Sequence, residues 1–257
     1  MLGAIAGDII GSPYEWRPIK TSQFPLFSAG SRFTDDTVLT AAVAECLLTD
    51  SDYTEAYIKY FSTYPDAGYG GRFFDWARTE AREPYGSFGN GSAMRVSPVG
   101  WAFDTLEDVL VEAGRSAAAT HDHQEGIKGA QAIAAAIFLA RSSQSKDEIS
   151  AYIEDKFEYN VSIPLDEIRP SYKFEVTCQG SVPPAFRAFL EADDYEDAVR
   201  KAISLGGDSD TLACMAGAIA HAFYGALPPA IADEALGRLD DRLRLVTSEF
   251  MAAFKVP

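Results

Sequence analysis

Cysteine is scarce and unpatterned: the chain has 3, at Cys46, Cys178 and Cys214, and no CxxC pair. An odd, scattered set suits a reducing compartment and argues against a structural zinc site. Histidine is equally rare, with 3 residues and no HExxH, and there is no GxxxxGK[ST] phosphate-binding loop. Positive charge is in deficit: 22 Lys and Arg face 38 Asp and Glu, for a formal net charge of −16. That field repels polyanions, so neither nucleic acid nor an anionic membrane is an expected partner. An anionic substrate would need a local device, such as metal ions or backbone amides, to approach. The opening MLGAIAGDIIGSPYEW has no basic leader and is broken by Asp8 and Glu15, and the apolar run at 211–227 contains His221. Neither reads as a signal peptide or a membrane span, so the expected location is cytoplasmic.

Strand signals are also sparse. KFEVT (173–177) alternates briefly, but its surroundings read as an irregular connection. Helical periodicity dominates instead. TVLTAAVAECLL (37–48), GAQAIAAAIFLA (129–140) and TLACMAGAIAHAF (211–223) are apolar almost all round, which predicts central helices packed on other helices. YEDAVRKAISL (195–205) carries Ala198, Val199, Ala202 and Ile203 on one face, and DRLRLVTSEFMAAF (241–254) is similarly two-faced, as peripheral helices are. The expected fold is all-α, about ten helices in one compact orthogonal domain spanning residues 1–257. Hydrophobic residues at 47% and charged residues at 23% supply the core for it.

Acidic pairs stand at the mouths of two of the central helices. SLGGDSDT (204–211) places Asp208 and Asp210 before one, and FTDDTVLT (33–40) places Asp35 and Asp36 before another. A capping role accounts for one carboxylate at each start, worth about 1 kcal/mol. It does not account for the second, because two unit charges about 4 Å apart repel by roughly 4 kcal/mol at an effective dielectric of 20. Cations between them would resolve the conflict. Four carboxylates balance two divalent ions, and with the Thr34 and Thr211 hydroxyls they make an all-oxygen set that selects Mg²⁺, or Mn²⁺ as a substitute, over zinc or copper.

Three further stretches carry candidate chemistry. PYGSFGNGSAMR (84–95) concentrates Gly86, Gly89 and Gly91, and reads either as a plain turn or as a loop offering backbone N–H groups to phosphate. In THDHQEGIKGA (120–130), His121 fits either a hydrogen bond to substrate or ordinary packing and capping. In GAIAGDIIGSPYEW (3–16), Asp8 and Glu15 are seven apart. Gly11 and Pro13 turn the second half, leaving Glu15 on a mobile segment suited to gating or acid–base work, or simply solvated.

Together these motifs, with DAGYGGR at 66–72, resemble the ADP-ribosylglycohydrolase family, in the family's order and over nearly the whole chain. The resemblance implies an all-α fold with a two-magnesium cleft. In it Thr34, Asp35, Asp36, Asp208, Asp210 and Thr211 match metal-binding positions, and Glu15 matches a glutamate proposed to gate the metals and assist catalysis. Gly70 and Gly71 belong to one substrate loop and Gly86, Ser87, Phe88, Gly89 and Asn90 to another, near diphosphate and ribose, while His121 matches a histidine contacting ADP-ribose. The implied activity is Mg²⁺-dependent hydrolysis of the bond between ADP-ribose and a protein side chain or small conjugate, with Glu15 or Asp36 handling the proton. A non-catalytic ADP-ribose binder and a two-metal nucleotide phosphohydrolase are the alternatives. The chain is shorter than many relatives, and no acceptor specificity is carried over.

Overall fold

Gly3, Gly7 and Gly11 recur every fourth residue, so they form a single side-chain-free stripe along the first helix. A second helix lies directly in that stripe. A Cβ added to Gly7 would stand 2.1 Å from the Ala213 carbonyl oxygen, and one on Gly11 would stand 2.5 Å from the Asp210 Cα. The two backbones therefore touch, and this contact is the axis of the molecule.

The computed structural model describes residues 1–80 and 82–257. The first helix is α1 (Leu2–Gly11), followed by a 3₁₀ turn at Ser12–Tyr14, α2 (Asp35–Thr49), α3 (Tyr53–Thr63), α4 (Gly71–Ala77), α5 (Gly91–Met94), α6 (Val99–Ala102) and α7 (Leu106–Ala118). Then come α8 (Gln124–Arg141), α9 (Lys146–Phe157), α10 (Leu165–Ile168), α11 (Cys178–Leu190), α12 (Tyr195–Ile203), α13 (Ser209–Tyr224), α14 (Pro229–Gly237) and α15 (Asp241–Ala253). The fold is all-α, as expected. Among the described residues the strand signal at KFEVT comes to a single bridge, Gly89 to Thr177.

The fifteen helices among the described residues exceed the expected ten or so. α5, α6 and α10 have 4 residues each, too few to show a hydrophobic period. The apolar segments lie where their composition sends them: all of α1 is buried, and α2, α8 and α13 are buried over most of their length. α12 buries Ala198, Val199, Ala202 and Ile203 and turns its charges outward. One contiguous hydrophobic core runs from Met1 to Val256. Among the described residues no helix is long and apolar enough to cross a membrane. All 3 cysteines are free and buried.

Candidate active site

Asp8 is a charged residue inside a wholly apolar helix, so burial forces it to find donors. It finds them at the entrance of α2. Its carboxylate accepts from the Thr34 N–H (3.0 Å), the Thr34 hydroxyl (2.7 Å), the Thr37 N–H (3.1 Å) and the Thr37 hydroxyl. Thr34 is the N-cap of α2, its Oγ1 accepting from the Asp36 N–H at 3.3 Å. One residue on α1 thus satisfies the orphan donors that open α2, and fixes where Asp35 and Asp36 emerge.

The backbone contact between α1 and α13 sets the other half. Asp208 is the N-cap of α13 by position, but its side chain makes no capping bond. Its Oδ2 accepts instead from Asn90 Nδ2 at 2.8 Å, tying the cluster to the glycine loop. Asp210 Oδ1 accepts from the Thr211 N–H at 3.0 Å, and the Thr211 hydroxyl faces Asp36 Oδ2 at 3.3 Å. The two acidic motifs, 175 positions apart in the chain, do meet.

Oxygen atoms of Asp8, Asp36 and Asp210 lie within 4.8 Å of one another, as do those of Glu15, Asp208 and Asp210. Asp210 belongs to both groups. Asp8 differs from the rest because it accepts four hydrogen bonds, three on Oδ2 and one on Oδ1, all from Thr34 and Thr37. We read it chiefly as the buttress of the cluster, with one Oδ1 lone pair left over. Asp35 stands on the wall beside Gly68, outside both groups. Glu15 is half-buried at the end of the 3₁₀ turn, beside Asp208 and Asp210.

Among the described residues none of these six carboxylates forms an ion pair with Lys or Arg. Burial, followed by the charges of Asp208 and Asp8, pushes Glu15 up to about 7. Asp8 is pushed up to about 6 by burial, against its hydrogen bonds. Asp36 and Asp210 rise well above the carboxylate range through burial and then through neighbouring aspartates, and burial raises Asp35 and Asp208 as well. Asp36 Oδ1 is buried with no hydrogen-bond partner. An orphaned, unneutralised cluster of hard oxygens is the donor set a divalent cation needs, so the residues present fit a metal.

The cluster is one end of a cavity of about 550 Å³. Gly70, Gly71, Gly89, Asn90 and His121 line its wall, and Trp16, Phe88 and Phe174 its mouth. A Cβ on Gly70 or Gly71 would meet no protein atom within 4 Å, so glycine there leaves room on the cavity side. The 85–90 loop is held and not open. The Gly86 N–H donates to Asp122 Oδ1 (2.7 Å), the Ser87 N–H to the Thr120 oxygen (3.4 Å), the Gly89 N–H to Ser87 Oγ (3.2 Å) and the Asn90 N–H to the Val176 oxygen (2.8 Å). That corrects the picture of a row of free amides: among the described residues only the Phe88 N–H of Gly86–Asn90 has no protein acceptor. His123 takes the capping role, accepting from the Glu125 N–H, while His121 faces the cavity. Sequence reasoning gave no site role to Tyr85, Arg72 or Arg95, which also line it.

The profile of the ADP-ribosylglycohydrolase family matches residues 1–256. The chain belongs to this family. It is 27% identical to the ADP-ribosylhydrolase ARH3 of Homo sapiens, the match covering 88% of this chain and 84% of that protein. It is 24% identical to the ADP-ribosylarginine hydrolase Tri1 of Pseudomonas putida (strain GB-1), over 89% of this chain and 71% of that one. A solved structure described as an ADP-ribosylglycohydrolase-related protein complex superposes with a TM-score of 0.75 at 25% identity, covering 99% of this chain and 95% of the other. Within the ADP-ribosylglycohydrolase fold, this chain's acidic cluster, glycine loop and histidine share one cavity.

Proposed function

We propose that the protein is a divalent-metal-dependent hydrolase that cleaves the glycosidic bond joining ADP-ribose to an acceptor, a protein side chain or a small conjugate. The observation that carries the reading is the cavity's polarity: buried carboxylates without counter-charge at one end, and a glycine loop with His121 along the wall. Thr34, Asp35, Asp36, Asp208, Asp210 and Thr211 would hold Mg²⁺ or Mn²⁺, two such ions balancing the charge of the four aspartates. When bound, such ions supply positive charge that orients vicinal ribose hydroxyls and acidifies water.

The chain's own groups do the remaining work. Glu15, at the edge of the cluster and open to the cavity, moves the proton between attacking water and leaving group, with Asp36 as the alternative. Gly70 and Gly71 leave open space for the diphosphate and ribose, and Ser87, Phe88, Gly89 and Asn90 of the 86–90 loop line the same cavity. His121 donates to a ligand oxygen. Trp16 and Phe174, stacked with ring centroids 5.2 Å apart, offer an exposed aromatic surface at the mouth for a substrate to pack against.

The test is a release assay over a panel of ADP-ribosylated arginine, serine, nucleobase and small-molecule conjugates, with Mg²⁺ or with chelator. Metal-dependent release of intact ADP-ribose is expected. AMP or inorganic phosphate as product would mean phosphoryl chemistry and end the proposal.

A further inference from the structure

Arg95 is fully buried and has no carboxylate partner among the described residues. A buried guanidinium left unpaired is expensive, so what it does touch is informative. Its Cζ lies 4.2 Å from the centroid of the Tyr57 ring. Nη2 donates to the Thr120 hydroxyl oxygen at 2.8 Å and faces the Ser116 carbonyl at 3.4 Å, while Nε and Nη1 have no acceptor. Thr120 Oγ1 in turn lies 2.7 Å from His121 Nδ1. Arg95, Thr120 and His121 form one chain ending at the cavity.

Charge sets the direction of the second bond. Arg95 can only donate, so it occupies one lone pair of Thr120 Oγ1, which leaves a second lone pair and the hydroxyl proton for the contact with Nδ1. Directed at Nδ1, that proton requires the imidazole to carry its own at Nε2. The cation favours the same arrangement, because it attracts the lone-pair edge of the ring and repels an N–H edge. Burial, then Arg95 and Arg72, hold the His121 pKa well below its ordinary value, so the ring is neutral and the tautomer matters. The opposite edge is kept bare: a Cβ on Gly91 would come within 3.3 Å of Nε2, and one on Gly89 within 3.6 Å.

We propose that Arg95 and Thr120 are positioning residues that lock His121 as the Nε2–H tautomer, so that it presents a hydrogen-bond donor to a phosphate or ribose oxygen in the cavity. The identity of the ligand rests on the functional reading above; the tautomer does not. Long-range ¹H–¹⁵N spectra of ligand-free, histidine-labelled protein read it directly, with His121→Asn assigning the signals. We expect a protonated Nε2 and an unprotonated Nδ1 in the wild type. Thr120→Val should mix or reverse the tautomers and raise the Kd for ADP-ribose about fivefold, the worth of one neutral hydrogen bond. Thr120→Ser, which keeps the hydroxyl, should restore both. A wild type protonated at Nδ1, or a Thr120→Val protein with the tautomer unchanged, overturns the relay. A shifted tautomer with unchanged Kd removes the donor role. A wild type that does not bind ADP-ribose sinks the functional reading and leaves the spectra to decide the relay.

Discussion

Replacing Asp210 by Asn should stabilise the metal-free protein while abolishing its activity. Asp210 is the carboxylate shared by both acidic groups, with partner oxygens within 4.8 Å. At that separation each like-charged pair repels by about 3.5 kcal/mol at an effective dielectric of 20. The folded protein escapes part of this by holding protons, as the upward shift of Asp210 indicates, so the relief should be smaller, about 2 kcal/mol. Asn keeps the oxygen that accepts from the Thr211 N–H, so the α13 entrance is undisturbed. For a chain of this size about 2 kcal/mol corresponds to a rise in Tm of roughly 4–8 °C in chelator. Wild-type protein should instead gain stability from the ion, about 2.7 kcal/mol at a hundredfold excess over its Kd, and the variant should lose that response. Scanning calorimetry with chelator and with Mn²⁺ measures all four states. An Asp210→Asn protein that melts lower in chelator, or that keeps a wild-type response to Mn²⁺, refutes the charge-compensation argument.

The stabilisation conferred by metal should depend on pH. Glu15 and Asp8 are raised to about 7 and about 6, so the metal-free fold binds protons there that the unfolded chain has already lost, and its stability falls as pH rises towards 7. Ions bound beside these two carboxylates favour their charged forms, so the Tm difference between metal-loaded and chelated protein should grow from pH 5 to pH 7.5. The buried histidines are common to both states and cancel; a flat difference would remove the cluster as the site of binding. Glu15→Gln should lower kcat at least tenfold with a smaller change in Mn²⁺ affinity, measured by steady-state kinetics and titration calorimetry; an unchanged kcat assigns the residue a structural part. Gly7→Ala should cost about 3 kcal/mol or more, because its Cβ would stand 2.1 Å from the Ala213 oxygen and only backbone movement makes room. A wild-type Tm for that variant would contradict the contact.

The central helices were readable because all-round apolarity leaves α2, α8 and α13 no place but the middle. The acidic pairs were readable because a second carboxylate at a helix mouth has no capping use, and Asp208 indeed makes no cap bond. Asp8 was seen but its role was not: one aspartate in an apolar run signals a buried acceptor, yet nothing local says that the donors are Thr34 and Thr37. Arg95 is harder still, since an arginine after a glycine loop looks like any surface charge until the fold closes over it. The same distance in sequence hid the internal bonding of the glycine loop, whose acceptors come from Thr120, Asp122 and Val176.

The Gly3 N–H donates to His221 Nδ1 across 218 positions of chain. Such long-range closure makes assembly slow, since the entropy of a very large loop is lost before the contact repays it. During synthesis α1 leaves the ribosome early as an oily segment without a mate and must wait for α13. The interval is a window for aggregation or for a chaperone, and the acidic cluster, which needs both helices, comes into being only when that window shuts.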